Sequence, residues 1–416
     1  MPASVRAAIL EHITNDDPDG ARLLLDGVDA TLSPQARAEW RYRVAWSYYI
    51  ENQDAQAWAL ADTVRDNGSG PWVAEGDWAA GLAAWRLGDC DKAAEAFLRS
   101  AAVSTNPNLT AAAHYWASRA LIRCRFPEKS DEQLRGAARF PETLYGMLAH
   151  EQLGRDLPET HAQPDLTEAD WRRLRDEDAV QQTVMLAEIG RRDEAADDLV
   201  WLVRTGDPDD YPALSRLARA LGLTGAQTFM AYNAPRGEGA HPSLRYPVTF
   251  RTPVGGWRVD PALAFAHALQ ESNFRERVVS PAGAIGLMQI MPITQREYAA
   301  SINMSSNADL KDPAVNLAFG QRTLESLSTA GYTQGRLPKI MAAYNAGPSP
   351  VARWESEIRD AGDPLLYMES IPYWETRGYV AVVMRNYWMY LRQADAPAPS
   401  RIDLAENDWP QFPKVR

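Results

Sequence analysis

Cysteine, histidine and long apolar runs are scarce in this chain, and each scarcity narrows what it can be. The six histidines form no ligand cluster, and neither Cys90 nor Cys124 has a His or Cys at ligand spacing, so no metal or organic cofactor is expected. No apolar run reaches the roughly 18 residues a membrane-spanning helix needs. The residues before Glu11 lack the apolar core, about 7–15 residues long, of a secretory signal. Clustered Lys and Arg are lacking too. The net charge is −12, and residues 1–240 carry 25 Lys and Arg against 38 Asp and Glu, whereas residues 241–416 carry 18 against 17. A phosphate-binding surface wants the opposite balance, so no nucleic-acid partner is expected. The acidity of the first half is a solubilising surface first, and a place for a protein partner second.

What is present reads as globular: 24% charged and 45% apolar residues in 416, enough for two or three domains. Residues 1–235 have helical spacing almost throughout. Trp78 to Leu87 places aromatic and aliphatic side chains on a helical period and stops at Gly88, and Lys92 to Leu98 starts a second helix at once. The pattern around Leu87–Phe97 returns at Ile189–Leu199, an offset of 102, three times 34. A period near 34 residues is that of stacked helix pairs resembling tetratricopeptide units. Cys90 and Cys124 are also 34 apart, which puts them at equivalent corners of neighbouring units. A disulfide in an oxidising compartment and two unrelated buried thiols are both open.

Composition breaks at Gly154–Pro164 and at the Gly- and Pro-rich stretch Asn233–Pro242. The expected organisation is all-α: a tetratricopeptide-like helical superhelix over 1–160, a helical linking unit over 161–240, a catalytic domain over 241–393 and an extended tail over 394–416 that packs back through Trp409. A small β-hairpin is allowed in the catalytic part, but nothing there alternates like a substantial sheet. Of the fourteen Trp, those in the repeats are expected in the core; Trp354, Trp374 and Trp388 are the candidates for a cleft.

The chemistry concentrates after residue 260. Asp260-Pro261 starts a helix that is apolar on nearly every side and ends in Glu271-Ser272-Asn273-Phe274. A carboxyl beside such a helix loses hydration, which raises its pKa and suits a general acid. The turn Ser280–Gly286 brings Leu287-Met288-Gln289-Ile290-Met291-Pro292 back toward that Glu. Gln289, among apolar neighbours, needs hydrogen-bond partners, and a sugar hydroxyl or acetamide would serve. Ala342-Ala343-Tyr344-Asn345-Ala346-Gly347-Pro348 adds a phenol and an amide, and Ile371-Pro372-Tyr373-Trp374-Glu375-Thr376-Arg377-Gly378-Tyr379-Val380 adds a fourth piece.

These pieces, in this order and over roughly residues 243–393, are similar to the active-site signature of the lytic transglycosylases, and the fourth piece resembles the soluble group in particular. Ala111–Ala120 and Tyr145–Ala149 resemble that group's superhelical part, although here it looks shorter than a full ring. The resemblance implies a lysozyme-like α domain acting on peptidoglycan in the periplasm, on a mature or trimmed form of the chain. It implies that Glu271 is a single catalytic acid and base. Ser280, Met288, Gln289, Met291, Tyr344, Asn345 and Glu375 would line the saccharide cleft, with Tyr379 also at the site and holding Glu375. Most glycosidases use two carboxyls. Here the nearest other one, Glu276, is expected on an exposed segment, so one carboxyl used twice is the expected solution. Two other readings are a hydrolase similar to goose-type lysozymes, and a glycan-binding helical scaffold whose enzyme domain is inactive.

Overall fold

The computed structural model describes residues 1–158, 165–236, 240–248 and 251–413. Of the two expected boundaries, residues 159–164 and 237–239 lie outside the described residues. Helices dominate, and many begin the same way. Asp17, Ser33, Asn106, Asp260, Asp312 and Asp363 each cap a helix whose first residue is proline. The cap oxygen satisfies an otherwise orphaned N–H, and the proline gives up only an N–H that has no intrahelical partner. This local grammar, rather than tertiary packing, sets where those helices start.

The chain divides into two compact units, one made of residues 1–158, 353–377 and 399–409, the other of 159–352, 378–398 and 410–416. The first is a stack of antiparallel helix pairs. Trp72–Leu87 ends at Gly88, whose φ of 79° is left-handed, and Asp89 then caps Cys90–Val103. Gly81 is where these two helices close up: a Cβ there would meet the Phe97 ring at 2.5 Å. Trp116, fully buried, sits edge-on to Trp78 and Trp85 and against Phe97, so the repeat tryptophans here are core, as the spacing suggests.

Cys90 and Cys124 form a disulfide with Cα atoms 5.6 Å apart, closing the start of one helix onto the end of the next. The returning stretch 353–377 joins this unit through buried polar contacts. Trp116 Nε1 donates to the Tyr145 hydroxyl (3.0 Å), which donates to Glu369 (2.5 Å). Burial raises the Glu369 carboxyl above its usual range, and Tyr145 and Arg377 oppose that. Residues 394–416 are not extended throughout: Pro399–Ala405 is a helix, tied to helix Leu144–Gln152 by Arg401–Glu151 at 2.7 Å. Trp409 does pack back, edge-on to Tyr367 and donating to Gly362.

In the second unit, helices from Glu168 to Tyr232 share a core of Leu174, Val180, Leu199, Leu214, Leu217 and Met230. Gly190 turns with φ 83°, as Gly88 does at the matching place in the repeat. Trp201 departs from the expectation of buried tryptophans and is 58% exposed. The rest of the unit holds helix Pro261–Ser272 and the long helix Trp374–Gln393 from residue 378 onward. The allowed hairpin reduces to isolated bridges, Val279 to Ile285 and Ile285 to Ile290; no strand occurs among the described residues.

Candidate active site

Helix Pro261–Ser272 is capped by Asp260, and Ala262 to Leu269 are all buried. It stops abruptly. Asn273 and Phe274 are both left-handed, at φ 50° and 58°, and two such residues in succession turn the chain away directly after Glu271 and Ser272. Glu271 is thus left half-buried in the helix's last turn. The Ser272 hydroxyl lies 2.8 Å from the Leu287 carbonyl, which pins the helix end to the incoming turn. The Glu-Ser pair has a reason: the first residue faces the site and the second holds the turn that builds it.

That turn is organised by Asn316, from helix Pro313–Ser328, which sequence reasoning missed. Its side chain is fully buried. It accepts from Met288 N–H (2.8 Å) and donates to the carbonyls of Ile285 and Leu310 (2.8 Å each). One amide thus serves three backbone groups, of which the Ile285 carbonyl also accepts from Ile290 N–H at 2.9 Å. Gln289 is held in the left-handed region at φ 48°, its own amide donating to Gly286 at 2.8 Å. Its expected need of partners is met inside the turn. Ser280 Oγ accepts from Ala284 N–H at 3.0 Å and closes the other side.

Met288 belongs to the core and not to the cleft: it is fully buried, and a Cβ on Gly320 would meet its sulfur at 2.1 Å. What Met288 presents is its carbonyl, which accepts from the Tyr344 hydroxyl at 2.8 Å. Met291, by contrast, is 37% exposed at the mouth of helix Pro292–Tyr298. Tyr344 and Asn345 are half-buried at the end of helix Leu337–Ala346, where Gly347 takes φ 86°. Burial, and then the Glu271 charge, push the Tyr344 phenol well above its usual value, so it remains a donor.

Helix Trp374–Gln393 supplies the carboxyl's partner. Tyr379 donates to Glu271 Oε1 at 2.7 Å, and Tyr387, two turns on, donates to Asp260 Oδ2 at 3.0 Å. One face of this helix therefore runs antiparallel along the Glu271 helix and reads both its ends. The hydroxyl of Tyr379 goes to Glu271 and not to Glu375, which is exposed in the helix's first turn. Trp354 and Trp388 are fully buried and are core, not cleft; Trp374 is 76% exposed.

Glu276 is also unlike its expectation. Its side chain is only 15% exposed, Arg251 lies 3.9 Å from it, and burial raises its carboxyl. Asp193 accepts the N–H groups of Glu276 and Arg277 at 3.3 and 3.1 Å, so this segment is tied down structurally. His267, one helical turn before Glu271, was not singled out at all; its Nδ1 lies 2.7 Å from Tyr379 Oη. A lone histidine in an apolar run carries no signal, and only the i, i+4 spacing to Glu271 could have drawn attention to it.

An all-α domain with a lysozyme-like fold, holding one half-buried glutamate at a helix end under a tyrosine hydroxyl, defines the class. Residues 250–365 match the Transglycosylase SLT domain. Over 168 residues the chain is 36% identical to the soluble lytic murein transglycosylase of Escherichia coli, a match covering 39% of this chain and 25% of that protein. The chain thus spans about a quarter of the length of that relative. The fold agrees over a longer stretch. The crystal structure of the 70 kDa soluble lytic transglycosylase of E. coli superposes with a TM-score of 0.74 at 22% identity, covering 98% of this chain and 65% of that one. The lytic transglycosylase Slt of Pseudomonas aeruginosa, solved as an inactive mutant, gives 0.70 at 23%, covering 95% and 63%. The fold is that of a helical superhelix with a lysozyme-like domain, and the stretch similar to the transglycosylase model, residues 250–365, falls in the latter.

Proposed function

We propose that this protein is a lytic transglycosylase that cleaves the β-1,4 bond between N-acetylmuramic acid and N-acetylglucosamine in peptidoglycan, without water, leaving 1,6-anhydromuramic acid ends. The observation that carries the reading is the Tyr379–Glu271 hydrogen bond at the end of an otherwise apolar helix inside a transglycosylase domain. The Tyr379 hydroxyl fixes the orientation of the carboxyl that is proposed to meet substrate.

Protonated Glu271 donates to the glycosidic oxygen, the bond from that oxygen to C1 of the muramic acid breaks, and an oxocarbenium-like centre develops at C1. The Glu271 carboxylate then takes the proton of the same sugar's C6 hydroxyl. O6 bonds to C1, and Glu271 ends protonated as it began. A tethered nucleophile needs no second carboxylate to fix a water, and its advantage is effective concentration. Tyr379 holds the carboxyl in place in both of its states. Ser280, Gln289, Met291, Tyr344, Asn345 and Glu375 are proposed to border the saccharide, Gln289 and Tyr344 by shaping the turn from within. The E. coli enzyme has been solved in complex with bulgecin A, and this site is proposed to take the same ligand. Action on peptidoglycan supports a periplasmic location for the protein.

Mass spectrometry of products from purified sacculi tests the reading. Muropeptides lighter by one water than hydrolytic products are expected. Reducing ends would mean a hydrolase, and bound but uncut sacculi a scaffold.

A further inference from the structure

His267 is fully buried, and nothing in the mechanism above uses it. Three elements converge on it: its own helix, which carries Glu271 one turn on; helix Leu337–Ala346, whose Tyr344 ring lies 4.6 Å away; and helix Trp374–Gln393, with Tyr379 at 2.7 Å. The titratable groups on these elements near the imidazole are Glu271, Tyr344 and Tyr379, and burial keeps both phenols protonated.

Hydrogen-bond accounting assigns its tautomer. A phenol has one proton, and Tyr379 spends it on Glu271 Oε1. Toward His267, then, the Tyr379 oxygen accepts, and the imidazole proton must sit on Nδ1. Nε2 is buried with no hydrogen-bond partner among the described residues, so the unpartnered atom is a lone pair and not an orphaned N–H. The alternative tautomer would bury an unpaired donor and at the same time point two lone pairs at each other across 2.7 Å.

We propose that His267 is a positioning residue for the acid/base carboxyl: Nδ1–H donates to Tyr379 Oη, which commits the tyrosine proton to Glu271 Oε1 and fixes the carboxyl in the site. The proposal rests on the reading of Glu271 as the acid and base. The i, i+4 spacing of His267 and Glu271 puts both on one helix face, which is why one hydroxyl from one crossing helix can engage the two. His267 is not a proton conduit. A proton passed from Tyr379 to Nδ1 would need Nε2 to release one, and burial holds the imidazole neutral, its pKa lowered to about 3. It acts as a fixed donor that polarises the tyrosine O–H and strengthens that bond when Glu271 is a carboxylate.

Two measurements on the full chain test this. In protein labelled with ¹⁵N-histidine, with His267→Asn used for assignment, long-range proton–nitrogen spectra should show the less common Nδ1–H tautomer, unchanged from pH 8 to 5. An Nε2–H tautomer, or titration in that range, overturns the proposal whatever the substrate turns out to be. Kinetics on soluble uncrosslinked peptidoglycan strands then separate positioning from packing. His267→Leu should lower kcat by about tenfold with KM little changed and move the pH limb governed by Glu271 upward by about one unit, the scale of one charge-assisted hydrogen bond. His267→Asn, whose amide N–H replaces Nδ1–H, should stay within about threefold of the parent with its pH profile restored. An unchanged profile in folded His267→Leu, or an Asn variant as impaired as the Leu variant, rejects the role. If the Leu variant does not fold, the Asn variant and the tautomer decide. A parent that makes no anhydro product would sink the transglycosylase reading while the tautomer result stood by itself.

Discussion

Tyr379 and Glu271, 108 positions apart in the chain, meet at 2.7 Å with the phenol donating to Oε1. Burial, and then the Glu271 charge, push the phenol well above its usual value, so the donor cannot lose its proton at any working pH. Tyr379→Phe keeps the ring and removes only this bond. Because the bond favours the carboxylate, its loss should cost about 1.5–3 kcal/mol in that state and reduce kcat about ten- to a hundredfold. The Glu271-dependent limb of the pH–rate profile should move to higher pH. A variant with the parent's profile would show that the hydroxyl does not act on Glu271.

Glu271→Gln keeps the shape and the acceptor for Tyr379 and removes the titrating proton. Cleavage should fall to background, while the melting temperature and the amount of protein pulled down with sacculi stay near those of the parent. Residual turnover above background would remove Glu271 from the role of acid and base.

His267 predicts a pH dependence of stability with a definite sign. Its folded pKa is lowered by burial to about 3 from 6.5. The unfolded chain therefore takes up a proton below pH 6.5 that the folded chain refuses. Stability contributed by the neutral ring is present above pH 6.5 and is lost progressively as pH falls toward 3. Denaturant titrations of the parent and His267→Asn should diverge across that window, the parent losing more stability on acidification. Parallel curves would mean that the imidazole is protonated in the folded state.

Asn316→Ala should be costly out of proportion to its size. It strips the side-chain partner from Met288 N–H and from the Leu310 carbonyl, while the Ile285 carbonyl keeps the Ile290 N–H, at about 1–3 kcal/mol for each of the two groups left unpaired. Urea denaturation should show a loss of about 2–6 kcal/mol, or activity should vanish as the turn loosens. Asn316→Asp can still accept from Met288 but cannot donate, and should recover only part. A loss below 1 kcal/mol in the Ala variant would show that water replaces the amide.

The Cys90–Cys124 bond closes a loop of 34 residues between adjacent helix pairs. Thiol titration of denatured, unreduced protein should find no free thiol. Replacing both cysteines by serine should lower the stability of the helical unit by about 2–4 kcal/mol. Two titrating thiols in protein made under oxidising conditions would refute the pairing.

Sequence periodicity and capping were enough to show that residues 1–235 are largely helical and to place helices such as Trp72–Leu87, Cys90–Val103 and Pro261–Ser272, because the proline after Asp260 and the left-handed Gly88 act within a few residues of themselves. Glu271 was legible for the same reason: an apolar helix that ends in a carboxyl is a local pattern. The residues that surround it were not. His267 and Asn316 look like ordinary members of apolar helices, and their work depends on backbone groups and hydroxyls that include ones 31 and 112 positions away. Met288, Trp354 and Trp388 looked like cleft residues because cleft and core use the same side chains; only packing decides which side of a helix faces solvent. The sequence by itself determined the helical character of the chain and the place of Glu271 at the end of an apolar helix. Tertiary structure alone decided which hydroxyl reaches His267, the partner of Tyr379 and the side of the turn on which Gln289 spends its amide, because hydrogen bonds are allotted by distance in space and not along the chain.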